Sequence, residues 1–250
     1  MTRPASDFPA FPPGLWRRIV LDPRPGCIAA ALEDDVHRFA LRLEHDGARI
    51  AAVHAETIRA PWTECPGAAA HLAGELAGEL LADVARRDPY QHCTHLLDLA
   101  ILCAAHAEDT APLRFDLRVA DRVDERTTAT LEEDGAERLR WLLDDTRIVG
   151  PGDWAGRDLR RLSAWKGELS PRDAERAALL RRAVFVSGAR NFEPPPGQPT
   201  AAEQGEMRQG VCFNYQQPQA SRSIRRADWR QDFSLSGGEP LADARARPQA

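Results

Sequence analysis

No run in this chain approaches the roughly 18 apolar residues that a membrane span needs, so a transmembrane helix is not expected. Basic residues are not gathered anywhere either. The 33 Lys+Arg are almost all arginine and are scattered among 38 Asp+Glu, giving a net charge of -5. Nothing forms the basic stripe that a nucleic-acid interface requires, which removes that class of partner from the expectation. Membrane partners fall away with the missing span. The opening stretch, MTRPASDFPAFPPG, has no continuous apolar segment and no small-residue cleavage site, so the expected compartment is the cytoplasm.

Cysteine is scarce and odd in number. Cys27, Cys65, Cys93, Cys103 and Cys212 are widely spaced in a 250-residue chain, unlike the dense frameworks of small disulfide-dependent domains. Reduced thiols are expected. Two of them, Cys27 and Cys103, lie in apolar runs and read as core residues. No internal repeat of fixed period is present.

What is present is a change of period along the chain. Residues 1–14 are a Pro-rich arm without periodicity. From Leu15 the pattern alternates: LWRRIVL, CIAAALEDD and VHRFALRLE read as strands, with Phe39, Leu41 and Leu43 on the inward face. HDG at 45–47 is a hairpin turn returning through ARIAAVHAETIRA. A helical period follows in GAAAHLAGELAGELLADVARR, where Gly74 and Gly78 predict two short helices. CTHLLDLAILCAAHA predicts a mostly buried helix with Cys93 at its start. A second β-rich stretch carries an Asp134-Gly135 hairpin turn, and Ser170-Pro171 signals the start of a long helix.

These elements predict an α+β fold in which an antiparallel β-meander sheet is covered on one face by helices. The expected organisation is a single domain over 15–192, with a thiol-bearing core at 15–110 and a β-rich extension and helix at 111–192. A linker and a docking C-terminal segment occupy 193–250. The last 17 or so residues read as loose, and Phe213 and Phe233 are expected to be buried.

The chemistry concentrates in RAPWTECPGAAAHL and QHCTHLLDLA. Each sets a thiol ahead of a helix, where unpaired N–H groups and the helix dipole favour thiolate. Cys93 is therefore expected to ionise more readily than a free cysteine. His95 lies two residues on, and Asp98 stands one turn from it. Asp34, Asp35 and His37, at the entry to a strand, lie at the same end of the sheet. His37, His54 and His71 taken singly read as solvent-facing or structural. The expected catalytic set is Cys65, Cys93, His95 and Asp35; the expected metal ligands are Cys65, Cys93, His95 and His92. Arg59, Trp62 and Thr94, which flank the thiols, are expected to meet a substrate. The donor set admits iron, zinc or an iron–sulfur cluster.

The paired motifs R-x-P-W-T-x-C-P-G-A and Q-x-C-T-H-L-x-D-L-A, with G-x-C-F and R-Q-D-F much later, resemble the bacterial family known as domain of unknown function 2889. The likeness spans roughly residues 15–235. It implies a bacterial cytoplasmic protein in a catabolic setting. In layout, residues 34–107 are also similar to the U-type iron–sulfur scaffold proteins. That similarity implies that Asp35 matches the scaffold aspartate, Cys65 its middle cysteine, and His92 and Cys93 its His-Cys pair. The scaffold's first cysteine falls near Leu32 or Glu33, where no thiol stands, and its lysine after the helix glycine is absent. The layout thus implies fold more than activity.

Three functions follow as expectations. The first is a small-molecule catabolic enzyme with a metal or cluster as Lewis acid, or a thiol with an acid–base pair. The second is a non-catalytic metal, sulfur or iron–sulfur carrier. The third is a structural interaction protein.

Overall fold

A computed structural model describes residues 5–191, 200–204, 210–227 and 229–243. The fold is α+β, with antiparallel strands and several helices. The strands are β1 (Gly14–Arg24), β2 (Cys27–Glu33), β3 (Arg38–His45), β4 (Ile50–Arg59), β5 (Leu113–Ala120), β6 (Arg126–Glu133), β7 (Ala136–Asp144) and β8 (Arg147–Gly150). They are hydrogen-bonded in the order β4-β3-β2-β1-β5-β6-β7-β8. The main helices are α1 (Gly67–Leu76), α2 (Thr94–Ala105), the single turn α3 (Leu162–Trp165) and α4 (Pro171–Arg190).

The chain divides into two compact units. One comprises residues 1–18, 114–192 and 232–240; the other comprises 19–113, 193–231 and 241–250.

In the unit built on 19–113, β2, β3 and β4 pair in order, with Leu41 opposite Ala30 and Val53 opposite Leu43. Phe39, Leu41 and Leu43 are buried, as their alternation predicts. The β3–β4 turn works because Gly47 takes φ +96° and Asp46 Oδ1 accepts from the N–H groups of Ala48 and Arg49. Helix α1 packs on β4, and α2 packs on β2 and β3. The second expected short helix is a 3-10 segment at Leu81–Arg86. Cys103 is fully buried on α2, among Leu96, Leu99 and Leu102.

In the unit built on 114–192, β6 alternates strictly, burying Thr127, Ala129, Leu131 and Glu133. The β6–β7 turn places Asp134 at φ +50° and Gly135 at φ +81°, the paired positive angles of a two-residue hairpin. Helix α4 packs on β6 and β7. It begins as the sequence predicts: Ser170 Oγ accepts from the N–H of Asp173, with Pro171 at the first helical position.

The C-terminal segment differs from expectation in its anchors. Phe213 and Phe233 are only half-buried, while Ala220, Ser223 and Trp229 are buried. Trp62 forms a satellite cluster with Ala201 and Ala220, against which Cys65 and Tyr215 pack. Arg225 ties this segment to the body, its guanidinium lying 5.1 Å from the Trp62 centroid and 4.2 Å from that of Trp229. The expected loose end is also tied down as far as Asp243: the N–H of Leu241 donates to Glu33 Oε2 at 2.7 Å, and Arg38 pairs with Asp243. The expected linker falls largely on residues 192–199 and 205–209, outside the described residues.

Candidate metal centre

The β2–β3 connection, Asp34 to His37, makes the site. A carboxylate at the head of a tight turn can accept from the N–H groups two and three residues on, folding the side chain back over its own backbone. Asp34 Oδ1 does this, accepting from Val36 N at 2.8 Å and His37 N at 2.7 Å. The same oxygen lies 3.3 Å from His37 Nδ1. Asp34 is fully buried.

Helix α2 brings the third member. Cys93 is its N-cap, and His95 sits in its first turn, buried against β3. The His37 and His95 rings lie 3.9 Å apart between centroids, and Phe39 stacks with both at 5.8 and 5.5 Å. One ligand atom from each of Asp34, His37 and His95 falls within 4.8 Å of the other two. Among the described residues this is the group of three potential metal donors gathered so closely. Cys93 Sγ lies 4.0 Å from His95 Nδ1, on the edge of the group.

The turn is held from outside by Arg59, at the end of β4. Its Nη2 donates to Asp34 O at 2.6 Å and Glu33 Oε1 at 3.2 Å, and its Nη1 to Asp35 O and Trp229 O, both at 3.0 Å. Gln231 N donates to Asp35 O at 2.7 Å. Arg59, expected to meet substrate, clamps these carbonyls and the Glu33 carboxylate. Asp35 takes part in the clamp through its carbonyl, and it is its neighbour Asp34 that brings a carboxylate to the imidazoles. Thr94 occupies the first position of α2 and is half-buried. Trp62 belongs to the satellite cluster with Cys65.

The thiols gather next to this group. Phe213 N donates to His92 O at 3.0 Å, which sets Cys212 beside the start of α2. Burial pushes the Cys65 thiol well above its ordinary value, and Cys93 and Cys212 push it the same way. Cys93 is pushed up to about 12 by burial and then by Cys212; the N–H groups of Leu96 and His95 oppose this without reversing it. The expectation of an easily ionised Cys93 is thereby corrected: desolvation outweighs the helix terminus. Cys65, Cys93 and Cys212 are within electrostatic range of one another, so the two sequence motifs do meet in one region. They do not join the group of close-set donors. His92 lies against His71, at 5.1 Å between centroids, and burial and His71 lower its pKa.

Asp34 and His37 are the members that sequence reasoning left out of the ligand set. The signal was there in an Asp followed three residues later by His at a strand entry, the spacing of a side-chain-closed turn. No protein-family model matches the chain, and no curated protein matches it.

Proposed function

We propose that this chain is a metal-dependent protein acting on a small molecule, with Asp34, His37 and His95 as ligands to a zinc or iron(II) ion. One observation carries the reading: two imidazoles meet a fully buried carboxylate with donor atoms of all three inside 4.8 Å. A turn closed by Asp34 needs only the backbone N–H groups it binds. It gives no reason for gathering a buried and a half-buried histidine about the same carboxylate, whereas two His and a carboxylate are a set that suits zinc or iron(II) and leaves coordination positions open. Such an ion supplies Lewis-acid polarisation of a substrate oxygen.

The chain's own groups then have distinct tasks. Asp34 is fixed before any ligand arrives, because its oxygen is oriented by two backbone N–H groups and its backbone by Arg59. Phe39 holds the two rings by stacking. His37 keeps 12% side-chain exposure against 0% for Asp34 and so retains contact with solvent. Cys93, neutral in its buried setting, lies against Nδ1 of His95 and biases which ring nitrogen is free to coordinate. The resemblance to domain of unknown function 2889 supports a bacterial, catabolic setting for this chemistry.

The same thiol supports a second reading. With Cys93 as a fourth, soft donor the site would be closed, as in a carrier or structural zinc centre. Metal analysis after anaerobic purification tests both. About one equivalent of zinc or iron, lost in His37→Ala and His95→Ala, is the expected result. A chain that neither retains metal nor takes up zinc or iron(II) in titration overturns the proposal. In the cobalt-substituted protein, sulfur-to-metal charge-transfer absorption abolished by Cys93→Ser selects the closed carrier; its absence selects the open site.

A further inference from the structure

The unit that lacks this centre has a cavity of its own. It measures about 640 Å³ and opens over the outer face of β1, β5, β6 and β7, within the size range of small-molecule sites. Helix α4 covers β6 and β7, and the buried side chains of these strands, Ala129, Leu131, Leu139 and Trp141, alternate with the half-buried and exposed ones that line the cavity. What closes the cavity is the Pro-rich arm. Phe8 is buried and Phe11 lies half-buried along its wall, and Pro13 O accepts from Asp121 N at 2.9 Å. The arm is thus a wall of the pocket.

Arg118 is the organising side chain. Its guanidinium lies 5.9 Å from the Phe11 centroid and 5.0 Å from that of Trp16, an arrangement that fixes the plane of the group. Nη1 donates to Glu132 Oε1 at 2.6 Å. One strand pair along, Arg140 Nε donates to Glu137 Oε1 at 3.0 Å. Register puts Arg118 opposite Thr130 and Thr130 opposite Arg140, so the two guanidiniums flank a hydroxyl. Each cation of the lining has its own carboxylate. An anionic ligand would compete with Glu132 and Glu137, and a cationic one with the two arginines. A neutral ligand meets donors and acceptors already oriented, beside the apolar faces of Phe8, Phe11 and Leu142.

We infer that this cavity binds a neutral ring compound with apolar faces and peripheral hydroxyls. A phenol and a sugar share that chemistry, and the two are separated by titration. Calorimetry on the full chain with phenol, D-glucose and benzoate is the experiment. Saturable binding of phenol or of glucose is expected, and whichever binds names the source. Affinity should fall about tenfold in Arg118→Met and a few-fold in Thr130→Val, the size of losing oriented hydrogen bonds. Thr130→Val changes a single hydroxyl of a half-buried side chain, so it serves as the readout should Arg118→Met fail to fold. Three results overturn the inference: no saturable binding of either neutral compound, benzoate binding as tightly as the neutral compound that binds, or affinity unmoved by Thr130→Val and by any folded Arg118→Met.

Discussion

Asp34 is buried in different company from the acids of the other unit, and from its own neighbour Glu33, which Arg59 and Arg38 hold. In the unit built on 114–192, buried or half-buried acids meet guanidiniums: Glu133 is gripped by Arg172 and Arg176 at 3.1 and 2.8 Å, and Arg190, with a side chain 6% exposed, pairs with Asp121 and Asp232. In the unit built on 19–113, the carboxylate of Asp34 meets two backbone N–H groups and an imidazole, while Arg59 binds the backbone of the turn and the Glu33 carboxylate. A permanently charged guanidinium neutralises an acid, so a further cation gains little there. A neutral imidazole leaves a donor set able to accept a cation. The ionic clusters around Glu133 and Arg190 tie acids to permanent cations, while the Asp34 turn sets its carboxylate beside imidazoles.

The largest expected effect breaks the contrast at its polar end. Asp34→Ala removes two turn-closing hydrogen bonds and leaves Val36 and His37 N–H groups without that acceptor, which should cost about 2–4 kcal/mol in a denaturant titration, the sum of two such losses. Metal retention should vanish with it. If stability fell but metal stayed, the carboxylate would belong to the turn alone.

At the ionic end, Arg190→Met strands Asp121 and Asp232. Both acids keep solvent contact, at 25% and 40% side-chain exposure, so the loss should be about 1–3 kcal/mol, below that of a fully buried pair. Thermal unfolding checks it, and metal content should not move.

Cysteine exchanges sharpen the comparison inside a single helix. Cys103→Ser puts a hydroxyl on the apolar side of α2 and should cost about 1–3 kcal/mol, with metal content unchanged. Cys93→Ser should cost less, since Cys93 sits at the helix cap where N–H groups of His95 and Leu96 can meet a hydroxyl. Equal losses would make Cys93 an ordinary core residue.

The smallest effect is in pH. Burial raises the pKa of Glu133, but hydrogen bonds from Arg176 and Arg172 outweigh it and hold the carboxyl below its ordinary value. A depressed folded pKa contributes stability that is complete above the unfolded value and is lost as pH falls through the folded one. Stability should therefore decline below about pH 4.5, and Glu133→Gln should flatten part of that decline when unfolding is followed between pH 3 and 7. An unchanged profile would show that these arginines do not act through Glu133.

Local order was readable from residue order alone. Alternation in VHRFALRLE identified Phe39, Leu41 and Leu43 as the buried face, because side chains on a strand change sides at every residue. Ser170-Pro171 located the start of α4, and Asp134-Gly135 a hairpin, because capping and positive φ depend on the residues themselves. The sequence by itself also determined that thiols and imidazoles would collect at the start of α2. Tertiary structure decided the rest. Whether Cys93 ionises depends on how much protein covers it, a quantity summed over distant segments, and burial reversed the sign that its helix terminus suggested. Which of two adjacent aspartates offers its carboxylate was set by the turn geometry between β2 and β3, and the second imidazole came to His37 only when α2 laid His95 beside that turn. A donor set is a distance relation among residues about sixty positions apart, and only packing creates it.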